Sequence, residues 1–203
     1  MANRYFTFAA AFLLIFTARE VCAQNNTAEV FGGWSYAKID PESTLPRQGA
    51  NGWVASATGY VAHWFGVGAE FSADFGSIPA PSGISAPNLN FKEYSYLAGP
   101  QFRFLSRKAV QSSFKLMVGG VFGQVNLSST ATSVQVSQLG AAGYGGFNQT
   151  KFAALFAVPV DMRVTHLIAI RVEPGVYLTN FNQSGQGNFR ISIGPVFRFG
   201  GKE

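Results

Sequence analysis

The chain has 203 residues, of which 47% are hydrophobic, 15% aromatic and only 12% charged, about half of the roughly 25% charge usual in soluble domains. That balance excludes a disordered chain, which needs low hydrophobicity and high charge, and argues against an ordinary soluble enzyme, whose surface needs more charge. The formal net charge of +5 is spread along the chain without a Lys/Arg cluster, so no nucleic-acid partner is expected.

Residues 1–23 read as a secretory signal peptide. Arg4 supplies the positive start, Phe6 to Phe16 the apolar stretch, and Val21-Cys22-Ala23 the cleavage motif, so the cut is expected between Ala23 and Gln24. The apolar stretch is too short to span a bilayer as a helix, which needs roughly 20 residues. A lipid anchor on Cys22 would need Leu a few places upstream and a small residue directly before it. Arg19, Glu20 and Val21 stand there instead, so none is expected. Residues 24–203 then form one domain without a cysteine, and hence without a disulfide.

From there on apolar residues recur with a period of two, the signature of strands with one apolar face. Val30, Trp34 and Tyr36 oppose Glu29, Gly33 and Ser35. Trp53, Ala55, Ala57 and Val61 follow. The clearest case sets Phe65, Val67, Ala69, Phe71, Ala73 and Phe75 against Gly66, Gly68, Glu70, Ser72 and Asp74. Tyr94, Tyr96, Ala98, Pro100, Phe102 and Phe104 oppose Ser95, Gly99, Gln101 and Arg103. Phe114, Leu116, Val118 and Phe122 oppose Lys115, Gly119 and Gly123. Phe152, Ala154, Phe156, Val158 and Val160 oppose Lys151, Ala153, Ala157 and Asp161. Ile168, Ile170, Val172, Pro174, Val176 and Leu178 oppose Arg171, Glu173, Gly175 and Thr179. Phe189, Ile191, Ile193, Pro195, Phe197 and Phe199 close the series against Arg190, Ser192, Gly194 and Arg198. About eight strands of about ten residues each are predicted, long enough to cross a bilayer when tilted.

The connections alternate in length. Those around His63-Trp64 and Val164-Thr165-His166 are short. Gly76 to Lys92 and Asn126 to Gln149 are long and rich in turn formers, and Leu105 to Ser113 is longer than a short turn. The fold class is therefore all-β, an eight-stranded antiparallel up-and-down transmembrane β-barrel with short turns at one end and long loops at the other. In a soluble barrel the apolar face would point inward, and a closed eight-stranded barrel has no room for so many Phe side chains. The apolar face is thus assigned to lipid and the Gly-, Ala- and Ser-rich face to a crowded lumen. Arginine at Val67 or Phe71 is expected to disrupt the protein, and Gly68→Ser to be milder. Pro100, Pro159, Pro174 and Pro195 are awkward inside strands, because each removes a ladder hydrogen bond.

In these residues the chain resembles the small outer-membrane β-barrels of Gram-negative bacteria, the OmpA-like and porin-like family. The most specific stretch is Ser192-Ile193-Gly194-Pro195-Val196-Phe197-Arg198-Phe199. It is similar to that family's C-terminal insertion signal, with Ser192, Gly194, Phe197 and Phe199 at the motif positions. Many members end on the aromatic, whereas Gly200 to Glu203 follow here. Asn51-Gly52-Trp53 through Trp64-Phe65-Gly66-Val67 also looks like small porin-like barrels. The resemblance implies a cell outer membrane location, with lipid and lipopolysaccharide around the barrel. It also implies the barrel-assembly machinery as partner during insertion, and a monomer. Larger OmpA relatives carry a peptidoglycan-binding domain after the barrel, and none is expected here.

Catalytic, cofactor and metal residues are not expected. His63 and His166 fall at turns, with no nucleophile or carboxylate paired to them by spacing. The glycines of Gly140 to Gly146 lack the Lys-Ser/Thr of a phosphate loop. The Asn-x-Ser/Thr triplets at Asn126, Asn148 and Asn182 carry no glycosylation signal on a bacterial barrel. What remains are charges on the polar face: Glu70, Arg103, Asp161, Arg171, Glu173, Arg190 and Arg198. They could form a salt-bridged plug or line a narrow selective pore. The function expected is therefore that of a structural outer-membrane barrel or narrow passive pore with surface loops. The alternatives are a lipid-modifying outer-membrane enzyme and a soluble periplasmic ligand-binding barrel.

Overall fold

The computed structural model describes residues 28–39, 48–78, 89–107, 109–126, 148–181 and 184–200. The expected signal peptide, its cleavage at Ala23–Gln24, the Gly140 to Gly146 run and Asn182 lie outside these residues. The strands are β1 Ala28–Ile39, β2 Gln48–Tyr60, β3 Phe65–Ile78, β4 Leu89–Ser106, β5 Val110–Asn126, β6 Asn148–Ala157, β7 Val160–Arg163, β8 Ile168–Phe181 and β9 Ser184–Phe199. Both β6 and β7 lie between β5 and β8, so they are two halves of one stave, interrupted at Val158-Pro159. The barrel therefore has eight antiparallel staves.

Closure comes from β1, which pairs with β2 on one side and β9 on the other. Among the described residues every strand has a neighbour on both sides, the condition for crossing hydrocarbon with strands. Apart from β7, the strands run from 10 to 18 residues, and all but β6 are longer than the ten expected. The extra length comes out of the predicted loops. Gly76 to Ile78 and Leu89 to Lys92 are paired with each other, so that connection shrinks to residues 79–88. Likewise Asn126, Asn148 and Gln149 belong to strands, leaving 127–147. The expected long turn from Leu105 to Ser113 is a short one. β4 runs to Ser106 and β5 starts at Val110, with Arg107 N–H donating to the Val110 carbonyl. Turn chemistry in the sequence was overridden there by cross-strand pairing.

The prolines find places where the missing N–H does little harm. Pro159 sits in the break between β6 and β7, and its carbonyl accepts from the Ser113 N–H at 3.1 Å and the Ser112 hydroxyl at 3.1 Å. Pro100 and Pro195 fall in gaps of the β4–β5 and β1–β9 ladders, and Pro174 lies opposite the β6–β7 break, its carbonyl accepting from the Val158 N–H at 3.0 Å. A bulge at Phe104 shifts the β4–β5 register between Arg103 and Leu105.

Alternation of burial follows the predicted faces. Trp34, Trp53, Val67, Phe71, Tyr96, Val118, Phe156, Ile193 and Phe197 are exposed on the outside. Aromatic pairs mark both rims, Phe75 with Tyr94 at the loop end and Trp64 and Phe65 with Phe102 at the turn end. Such girdles are expected where a barrel meets the two membrane interfaces. The lumen is more apolar than predicted. Leu97, Met117, Val121, Leu155 and Tyr177 form one buried cluster inside, and Phe31, Val54, Ala169 and Val196 another. It is also tightly filled. A Cβ on Gly68 would lie 2.6 Å from Thr58 Oγ1 and 2.9 Å from the Ala57 carbonyl oxygen, so Gly68→Ser is not the mild change expected.

Candidate functional site

All seven charges picked from the sequence enter the lumen, where they sort into two tiers. Nearest the short turns, Glu29 and Asp161 are surrounded by Arg103, Arg171 and Arg198. Arg171 grips Asp161 with two donors, Nε at 2.7 Å and Nη2 at 2.9 Å, and also reaches Glu29 at 3.0 Å. Arg103 donates to Glu29 at 2.6 Å and lies 3.4 Å over the Tyr60 ring. Arg198 donates to Asp161 at 2.7 Å and lies 3.3 Å from Glu29. Two-donor guanidinium–carboxylate contacts are the strongest and most directional of such bonds.

Midway along the axis, Glu70, Glu173, Lys115 and Arg190 close a four-charge ring. Lys115 Nζ lies 2.5 Å from Glu70 and 3.1 Å from Glu173. Arg190 pairs with Glu70, reaches Glu173 at 3.6 Å and donates to the Ser72 hydroxyl. The ring draws on β3, β5, β8 and β9, so its ion pairs cross the lumen rather than follow one sheet face. Lys115 and Glu70 are fully buried as side chains. Beside the ring, Thr58 donates to Gln101 and Gln101 donates to Ser113, adding a hydrogen-bonded bridge from β2 to β5.

Toward the loop end lies a third group. Asp74 and Glu93 face each other across the β3–β4 pair, both buried. Asp74 accepts from the Ser35 hydroxyl at 2.7 Å, and Ser72 and Ser95 bond each other below them.

Four lumen charges were missed by the sequence reading: Glu29, Lys115, Asp74 and Glu93. The first three carry the polar parity in their strands and were legible as lumen residues. Glu93 was not, because β4 begins five residues earlier than the alternation suggested. Arg171 and Glu173 do share a face, yet they serve different tiers. Of the insertion-signal residues, Ser192 and Gly194 face inward, while Phe197 and Phe199 stand exposed outside. His63 and His166 lie in the exposed short turns, 61–64 and 164–167.

No protein-family model and no curated protein matches the chain. Solved structures do. The crystal structure of Ail, the attachment invasion locus protein of Yersinia pestis, aligns with a TM-score of 0.57 at 14% identity, over 86% of this chain and 100% of Ail. Neisserial surface protein A aligns with a TM-score of 0.60 at 15% identity, over 87% of this chain and 98% of that one. A further match is Ail in complex with the heparin analogue sucrose octasulfate, with a TM-score of 0.54 at 13% identity, over 86% of this chain and 100% of that one. The chain has the fold of the small outer-membrane β-barrels.

Proposed function

We propose that this chain is a non-enzymatic, monomeric barrel of the cell outer membrane, its lumen closed by a salt-bridged plug and its long connections presented at the surface. The observation that carries the reading is the buried ring of Glu70, Glu173, Lys115 and Arg190 spanning the lumen. A water-filled channel would leave such groups exposed. The outward aromatic face argues against a soluble periplasmic barrel, which would hide it. Lipid and lipopolysaccharide are the surrounding partners, and Lys38 and Lys92 point outward at the loop end, where lipid phosphates would meet them. The assembly machinery would read the β9 residues Ser192, Gly194, Phe197 and Phe199.

Work done at the surface then falls to the connections. Residues 79–88 and 127–147 contain no Asp, Glu, Lys or Arg. A polyanion contact like the one in the Ail complex is therefore not what these segments favour, and an uncharged surface contact is. Planar-bilayer recording of the refolded barrel tests the plug. Closed traces are expected, and a stable ohmic conductance would replace the plug with the narrow-pore reading.

A further inference from the structure

Charge is sorted from inside to outside in this barrel. All six described carboxylates, Glu29, Glu70, Asp74, Glu93, Asp161 and Glu173, are buried. Every exposed Lys, Arg, Asp or Glu among the described residues is a cation: Lys38 at the loop end, and Arg107 and Arg163 at the turn end. The buried carboxylates take their ion pairs from Arg103, Lys115, Arg171, Arg190 and Arg198, which leaves both turn-end arginines without a carboxylate among the described residues.

The two arginines stand on adjoining turns. Arg107 N–H closes the β4–β5 turn onto the Val110 carbonyl at 2.9 Å, and Arg163 N–H donates to the Ala109 carbonyl of that same turn at 2.9 Å. Val110 pairs with Met162 and Gln111 with Asp161, so the end of β7 is fixed to the start of β5. Backbone pairing thus places both cations on one sector of the turn-end rim.

A second observation lies in the apolar residues around them. Phe104, Val164 and Val61 are the most exposed large apolar side chains among the described residues, at 66%, 64% and 62%, and all three are at the turn end. Met162 and Val164 flank Arg163 in sequence, and Met162, Trp64 and Leu167 are exposed as well. Cations set among exposed aliphatic and aromatic side chains are the composition of a surface lying in the headgroup layer of a membrane. There the arginine stems run along apolar surface while the guanidinium groups reach the phosphates. A soluble polyanion would cover the arginines and leave the apolar residues in water.

We propose that Arg107 and Arg163 bind the headgroup phosphate of an anionic phospholipid in the leaflet at the turn end, with Phe104, Met162, Val164 and Leu167 against its acyl chains. The guanidinium fork matches phosphate oxygens in pairs. No exposed carboxylate among the described residues is there to receive the ammonium of a zwitterionic headgroup, so a net negative headgroup is preferred. The inference rests on the outer-membrane reading above, which puts this rim in lipid.

Native mass spectrometry of the refolded barrel in detergent tests it, because it resolves single bound lipids. Phosphatidylglycerol and phosphatidylethanolamine are titrated separately. The first phosphatidylglycerol should bind about tenfold or more tighter than the first phosphatidylethanolamine, and Arg107→Gln and Arg163→Gln should each weaken it by about fivefold. Lys38→Gln should leave it unchanged. Arg107→Lys/Arg163→Lys should keep most of the preference, which separates lost charge from lost fold, and circular dichroism establishes the fold of each variant. Equal affinity for the two lipids in the folded wild type overturns the proposal, and so does a preference unchanged in Arg107→Gln/Arg163→Gln. Loss of the preference in Lys38→Gln would move the site to the loop end, and displacement of the lipid by glycerol phosphate would make the pair a site for free anions; either overturns it. Flotation with phosphatidylcholine vesicles keeps the two readings apart. A folded barrel that does not float fails the outer-membrane reading and this one with it, whereas a barrel that floats and shows no lipid preference fails this inference alone.

Discussion

Lys115→Met probes the ring at its most buried member. The ammonium bridges Glu70 at 2.5 Å and Glu173 at 3.1 Å, with no exposed side-chain surface. Without it, Arg190 alone faces two carboxylates. Breaking a buried pair this way costs roughly 3–5 kcal/mol, because the orphaned charge stays out of water. With a urea dependence of about 2 kcal/mol per molar, the unfolding midpoint should fall by about 2 M. In an open pore, water would screen the same charges and the loss would drop to roughly 0–1 kcal/mol, a shift of about 0.5 M or less. Adding Glu173→Gln to Lys115→Met leaves Glu70 and Arg190 as one neutral pair. The double variant should therefore be more stable than Lys115→Met alone, with a coupling of roughly 0.5–3 kcal/mol. The assay is reversible urea unfolding in detergent, followed by tryptophan fluorescence. A midpoint shift under about 0.5 M for Lys115→Met, with no recovery in the double variant, would refute the plug.

Other expectations follow from the two faces and the ends. Phe71→Arg, against lipid, should cost roughly 2–4 kcal/mol if it lies near the midplane, whereas Gly59→Ala on the same outer face, with open space around the new Cβ, should change stability by less than about 0.5 kcal/mol; equal refolding midpoints would mean that Phe71 does not face lipid. Gly99→Ala should destabilise strongly, since its Cβ would sit 2.1 Å from the Leu116 carbonyl oxygen and push β4 from β5; wild-type unfolding would contradict the packing. Replacing Phe197 and Phe199 with Ala should leave export intact and deplete folded protein from the outer-membrane fraction, and undiminished levels there would count against the insertion signal. External protease on whole cells should cut first within 79–88 and 127–147. Cleavage only after the periplasm is opened would invert the proposed orientation.

Much of the fold was legible because a strand's period is two and needs no partner to be read. Phe65 to Phe75 declares its two faces residue by residue. Composition then settles which face meets lipid, since so many Phe and Trp side chains cannot fit inside eight staves. The seven lumen charges followed from the same parity. Strand ends did not, because Gly76 to Ile78 and Leu89 to Lys92 look like loop by composition and become strand only through pairing with one another.

The ion pairs are likewise a product of the tertiary structure. Arg171 meets Glu29 from 142 residues away, and Arg190 meets Glu70 from 120. Parity says only that such side chains point inward. Which ones meet depends on the register of every stave between them and on how far closure staggers β1 against β9. A slip of two residues in any one pairing would keep every face correct and exchange every partner. The sequence alone thus determined an alternating chain with an apolar outside and a charged inside. Barrel closure decided that Lys115 stands between Glu70 and Glu173 while Asp74 and Glu93 are left facing each other, because that choice is a matter of register, and register is a long-range property.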